Sequence, residues 1–296
     1  MHKKLLQLLA GFTLIALASC KGKTEETPAY IHIEKIDFTY DNISTVGNGG
    51  TAITDAWVYE NDNVIGVFEL PATIAVATSG KREISVRPGI KLNGISATRE
   101  HYRYYQGWSE DINIIPLDTV TIEPFTKYYN TTLLSFHENF EDVVIKFDSS
   151  SNSDVSLERT KIINPEPQYL ENYVGLATMT ASKPYFKCFT KDAFMVPVTS
   201  PLPIYLELDY KCNTDFTVST LIKSPSNGVY EDQVITLRST VVNGEMIWKH
   251  IYIDFTDSFI GQIDATGFGF SFTSAHNSSN TESFLYLDNT KVVNSN

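Results

Sequence analysis

Apolar and polar residues alternate along most of this 296-residue chain. Ile31 and Ile33, Trp57 and Tyr59, and Ile84 and Val86 each sit two apart with a different kind of residue between them. Successive side chains of a strand point to opposite faces, so a period of two predicts strands. Amphipathic helical spacing is hard to find anywhere. The 17 Phe and 16 Tyr fit the same reading, because aromatics pack well on a pleated surface. The clearest run is 204–210. Ile204, Leu206, Leu208 and Tyr210 face one way, and Tyr205, Glu207, Asp209 and Lys211 the other. At 268–272, Phe268, Phe270 and Phe272 alternate with Gly267, Gly269 and Ser271. Further runs fall at 216–222, 234–238, 251–255 and 284–293. Many short strands separated by turn signals predict an all-β protein of sandwich or jelly-roll type.

The strands fall into two blocks, 30–123 and 137–296, with a linker at 124–136 opened by Pro124. In the first block, the strand Ala56-Trp57-Val58-Tyr59 and the strand Val64-Ile65-Gly66-Val67-Phe68 flank a turn containing Asn61 and Asp62. Both residue types tolerate the left-handed conformation a tight turn needs. Leu70-Pro71, a strand at 74–77, Ser79-Gly80-Lys81 and a strand at 84–87 follow. This order of strands and turn residues resembles the PEGA-type domains of bacterial envelopes. The resemblance implies an N-terminal Ig-like β-sandwich. The second block carries Asn139-Phe140-Glu141-Asp142 near its start and Leu285-Tyr286-Leu287-Asp288-Asn289 near its end. It resembles the jelly-roll modules of bacterial carbohydrate-binding proteins. That resemblance implies a C-terminal β jelly roll whose first and last strands lie together. It also implies a structural calcium held by Glu141 and Asp288, a hard cation that wants six to eight oxygens. No other cofactor is implied.

The N-terminus has its own pattern. Lys3 and Lys4 precede a stretch, 5–17, that is apolar but for Gln7 and Thr13. It is too short to span a bilayer, which takes about 20 apolar residues, and it fits the h-region of a secretory signal. Leu17-Ala18-Ser19-Cys20 resembles the lipobox of bacterial lipoproteins. This implies a signal peptide over 1–19, lipidation at Cys20 and a tether over 20–29. Lys21 is not an inner-membrane retention signal, which points to the outer membrane. Lys21-Gly22-Lys23-Thr24-Glu25-Glu26 resembles the export tags of surface lipoproteins in the Bacteroidota.

A net charge of −12 argues against a nucleic-acid partner, because phosphate backbones are held through Lys and Arg. Cys188 and Cys212 both lie in alternating apolar stretches. An exported compartment permits a disulfide between them, and buried free thiols are equally compatible with the pattern. No nucleophile elbow, His-Glu-x-x-His, P-loop or dinucleotide fingerprint is present, and the six His are scattered. The densest group of binding-type residues is Arg99, Tyr102, Arg103, Tyr104, Tyr105 and Trp108. Aromatic faces can stack on sugars while Arg hydrogen-bonds. The same rings could instead pack between the two domains. As a strand, the stretch would put Tyr102, Tyr104 and Trp108 on one face and Arg103 and Tyr105 on the other. The expected function is that of a non-enzymatic outer-membrane lipoprotein whose two β-domains bind glycan or protein. The alternatives are an accessory part of an envelope machine and a glycan-active enzyme.

Overall fold

A computed structural model describes residues 27–39, 49–162, 170–226 and 228–295. Cys20 and the stretch expected to be a signal peptide and lipobox lie outside the described residues. The chain is all-β; one short helix, Thr256–Phe259, interrupts the strands described.

The first sandwich packs a three-stranded sheet on a five-stranded one. Strand Ala29–Ile33 is central in the smaller sheet, antiparallel to Ala72–Val76 and parallel to Thr119–Ile122. The larger sheet is built on the long strand Gly80–Lys91. That strand pairs with Asp55–Glu60 on one side. On the other it pairs with Trp108–Ile114 through its first half and Arg99–His101 through its last residues. Asp55–Glu60 and Asn63–Glu69 form the expected hairpin, with Asn61 and Asp62 at φ of 44° and 64°. Ile31 and Ile33 meet Val58, Ile84 and Val86 in its core. Ala29–Ile33, the end of Ala72–Val76 and the middle of Gly80–Lys91 bury every second residue, which is why the two-residue period was visible.

The second sandwich is a β jelly roll. One sheet runs Glu158–Lys161, Tyr173–Met179, Ser283–Ser295, Tyr205–Cys212, Lys249–Asp254, with Thr132–Glu138 also paired to Ser283–Ser295. The other runs Phe147–Ser149, Tyr185–Thr190, Gly267–Ala275, Phe216–Ser224, Gly228–Leu237. The first and last strands of the unit pair, as the resemblance implied. Leu206, Leu208 and Tyr210 face Phe268, Phe270 and Phe272 across its core. Cys188 and Cys212 are both free and buried in this core, one on each sheet, so the disulfide is not formed. Burial pushes the Cys212 thiol up to about 11 and the Cys188 thiol higher still. They behave as small apolar packing units.

Residues 124–136 are not a free linker. Phe125–Thr126 pairs in parallel with Asp37–Phe38, and Thr132 already belongs to the second sandwich. The reason is a third core between the units. Ile90, Leu92, Tyr102, Tyr104, Tyr105 and Tyr128 from the first part pack on Tyr205, Tyr252 and Val293 from the second. Backbone bonds tie the same seam: the Asn93 N–H donates to the Tyr252 carbonyl at 2.8 Å, and the Asp254 N–H to Asn93 Oδ1 at 2.9 Å.

Candidate functional site

The tyrosine stretch is part of this seam. Strand Arg99–His101 stops where the chain leaves the sheet, and the Tyr105 N–H closes a turn onto the Tyr102 carbonyl at 3.3 Å. Face alternation is lost there, so Tyr102, Tyr104 and Tyr105 are all buried, at 1–3% exposure. The Tyr102 phenol donates to Glu207, the Tyr104 phenol to the Pro203 carbonyl, and Tyr105 and Tyr252 share a bond of 3.1 Å. These three rings are therefore not an open ligand surface. Arg99 is also occupied, ion-paired with buried Asp55 and, at 2.8 Å, with Glu69. Arg103 and Trp108 line a surface pocket, to which buried Tyr102 and Tyr105 also contribute from the seam side.

The two carboxylates expected to hold calcium are each engaged by backbone N–H groups, and the Glu141 charge also acts on Asp288. Glu141 Oε1 accepts the N–H groups of Asn172 and Tyr173 at 2.7 and 2.8 Å. Asp288 is buried and accepts the Asn289 N–H at 2.8 Å. Among the described residues there is no group of three or more His, Cys, Asp or Glu placed to hold a metal ion. The donor set does not fit calcium. Burial first, and the Asp209 charge second, hold the Asp288 carboxyl well above the usual carboxylate range.

The seam covers the outer face of the sheet that carries Tyr205, Glu207 and Asp209. The outer face of the five-stranded sheet holds a groove of about 440 Å³. Its floor comes from the alternation at 267–273. The Phe side chains fill the core, so Gly267 and Gly269 face outward with no side chain. The close approach is real: a Cβ on Gly269 would lie 2.4 Å from Thr190 Oγ1, and one on Gly267 2.6 Å from the Ala193 Cβ. Phe189, Lys187 and Lys191 line one side, and Leu221, Lys223, Val229 and Glu231 the other. Lys187 and Glu231 sit on strands with two floor strands between them, and they pair across these at 2.6 Å. The Ser271 hydroxyl rises from the floor to Glu231 Oε1 at 2.7 Å. Burial opposes ionisation of Glu231; the bonds from Lys187 and Ser271 outweigh it and hold its carboxyl below the ordinary value. Thr190 and Ala193 cover the glycines, so the groove offers a half-buried aromatic face and a fixed donor and acceptor side by side. That arrangement suits a flat, hydroxylated molecule with an apolar face. The sequence signal was the Gly-Phe alternation, whose polar-side meaning depends on the neighbouring strands.

No protein-family model matches the sequence, and comparison with curated proteins gives no match. Among solved structures, the chain is similar to a xylan-binding domain of carbohydrate-binding module family 22. The identity is 14%, over 55% of this chain and 94% of that one, with a TM-score of 0.36. It is also similar to the family 22 and catalytic modules of endo-1,4-β-D-xylanase 10B from Clostridium thermocellum, complexed with xylohexaose. There the identity is 14%, over 55% of this chain and 28% of that one, with a TM-score of 0.37. A third is a family 28 carbohydrate-binding module specific for non-crystalline cellulose, at 14% identity, over 52% and 92%, with a TM-score of 0.37.

Proposed function

We propose that this protein is a glycan-binding lipoprotein, held to the outer membrane through a lipid on Cys20, that takes a saccharide chain in the groove of its jelly roll. The observation that carries the reading is the half-buried Phe189 ring beside the Lys187–Glu231 pair in a groove of about 440 Å³. A pyranose ring can stack on the Phe189 ring there. Lys187, Glu231 and the hydroxyls of Ser150 and Thr190 supply the few placed polar groups that such sites use for orientation. The first sandwich covers the opposite face of the jelly roll, so it acts as a rigid spacer between the tether and the groove.

The test is affinity electrophoresis of the purified chain against a panel of soluble polysaccharides, with Phe189→Ala beside wild type. Retardation of wild type by at least one polysaccharide is expected, reduced in Phe189→Ala at nearly unchanged melting temperature. No retardation by any member would end the groove reading. The anchor is tested separately: Cys20→Ala should abolish metabolic labelling with palmitate and release the protein from membranes. A wild type that never labels would remove the lipid.

A further inference from the structure

A second concavity, of about 400 Å³, opens on the first sandwich, and its chemistry differs from that of the groove. Arg87 comes from the long strand Gly80–Lys91, opposite Trp57. Arg103 comes from the turn after Arg99–His101. Tyr102 and Tyr104, on either side of Arg103, are buried in the seam, so the turn is pinned and Arg103 is presented outward. His101 and Ser85 line the space between, with Trp108 and Tyr129 at the wall.

Three observations point to what this pocket holds. First, its arginines are unusual in this chain. Arg82, Arg99 and Arg238 each ion-pair with a carboxylate, and Arg159 is bonded to the Phe140 and Glu141 carbonyls. Among the described residues, no carboxylate stands within ion-pairing distance of Arg87 or Arg103. Glu83 accepts from the hydroxyl of the lining residue Ser109 at 2.8 Å. Second, the local field is positive although the chain carries −12. His101 is held below its ordinary pKa by burial, then by the charges of Arg103 and Arg87. Third, Arg87 is pre-positioned, its guanidinium 4.8 Å from the centre of the Tyr59 ring. A stacked guanidinium keeps its edge free for a planar or tetrahedral anion.

We propose that this pocket is a second binding site, independent of the groove, for a saccharide unit bearing a carboxylate or sulfate. Arg87 and Arg103 clamp the anionic group from two sides. The hydroxyl of Ser85 and the rings of Trp108 and Tyr129 meet the sugar. The size favours a sugar over a bare ion, since about 300–1,000 Å³ is the range of small-molecule sites. The two sites then read one acidic polymer by different means: the groove by shape, the pocket by charge.

The experiment is calorimetric titration of the purified full chain with trigalacturonate and with a sulfated heparin oligosaccharide. The methyl ester of trigalacturonate and inorganic sulfate serve as controls. Arg87→Ala and Arg103→Ala are each expected to weaken binding about tenfold or more, the scale of one lost charge-assisted contact. Phe189→Ala is expected to leave this binding in place even where it abolishes retention by the groove. Both arginines are exposed, so neither change should lower the melting temperature. Binding by at least one acidic oligosaccharide, lost in both variants and absent for the methyl ester, supports the site. Three results overturn it: no acidic oligosaccharide binds, binding is indifferent to both arginines, or inorganic sulfate binds as tightly as the sugars.

Discussion

Tyr102 of the first sandwich donates its phenol to the carboxylate of Glu207 in the second, and both residues are buried. Tyr128 donates to the other oxygen at 2.6 Å, and the Lys291 ammonium lies 5.9 Å from the centre of the Tyr128 ring. A buried charge is tolerable only when it is paired and hydrogen-bonded. The seam is therefore satisfied only when the two sandwiches are docked in this register.

Removing one donor should expose that dependence. Tyr102→Phe keeps the ring and leaves Glu207 with a single phenol. Hydrogen bonds to charged groups are worth about 1.5–3 kcal/mol, so a loss of that size is expected in urea unfolding. Tyr102→Ala should cost about 3–5 kcal/mol, as truncation of a large buried aromatic does. A neutral Tyr102→Phe would mean that water or another group satisfies Glu207.

The same seam predicts an alkaline transition. Burial, and then the Glu207 charge, raise Tyr102, Tyr105, Tyr128 and Tyr252 well above the ordinary 10.0. In the unfolded chain these phenols ionise near 10. The folded form holds their protons longer, so its stability is full below that pH and falls as pH rises above it. Tyrosinate absorbance should show these four ionising together with unfolding. Gradual titration in the native state would contradict the burial.

Asp288 carries an expectation of the same sign in the acid range. Its folded pKa is raised, mainly by burial and next by Asp209, so the charged form is disfavoured in the native state. The native state binds the proton more tightly, and stability falls as pH rises from the unfolded carboxylate value upward. Asp288→Asn should raise the melting temperature at pH 7, with the gain shrinking towards pH 4. Millimolar calcium should add nothing to metal-stripped wild type. A calcium-dependent rise lost in Asp288→Asn would restore the cation site to this strand.

Much of the fold was legible because half-buried strands write their period into the chain. The faces of 204–210 appear as read, and the Asn61-Asp62 turn takes the conformation its residues favour. The seam was harder to see. Tyr205, Glu207 and Asp209 form a mixed polar face that looks solvated until Tyr102 and Tyr128 are brought over it from more than 70 residues away. The tyrosine stretch failed as an open surface for a local reason: a turn after His101 cancels the two-residue period, so rings expected on both faces all point inward. Asp288 lies on the last strand and Glu141 just beyond the first, and their engagement by backbone N–H groups could not be read from the sequence.

The groove floor makes the sharpest structural prediction. Gly269 has ordinary backbone angles, so its need for glycine comes from space alone: Thr190 Oγ1 occupies the position of a Cβ. That hydroxyl also accepts the Phe270 N–H at 3.3 Å, which fixes its rotamer against the floor. Gly269→Ala should therefore destabilise by about 1–3 kcal/mol, the usual cost of overpacking. Thr190→Ala removes the oxygen and should cost less alone. The double variant should recover part of the loss, because residues in contact couple by about 0.5–3 kcal/mol. Denaturant unfolding of the four proteins measures that coupling. If the two effects simply add, the close approach of Thr190 is not what keeps position 269 free of a side chain, and the shape of the groove must be set by Ala193 over Gly267 instead.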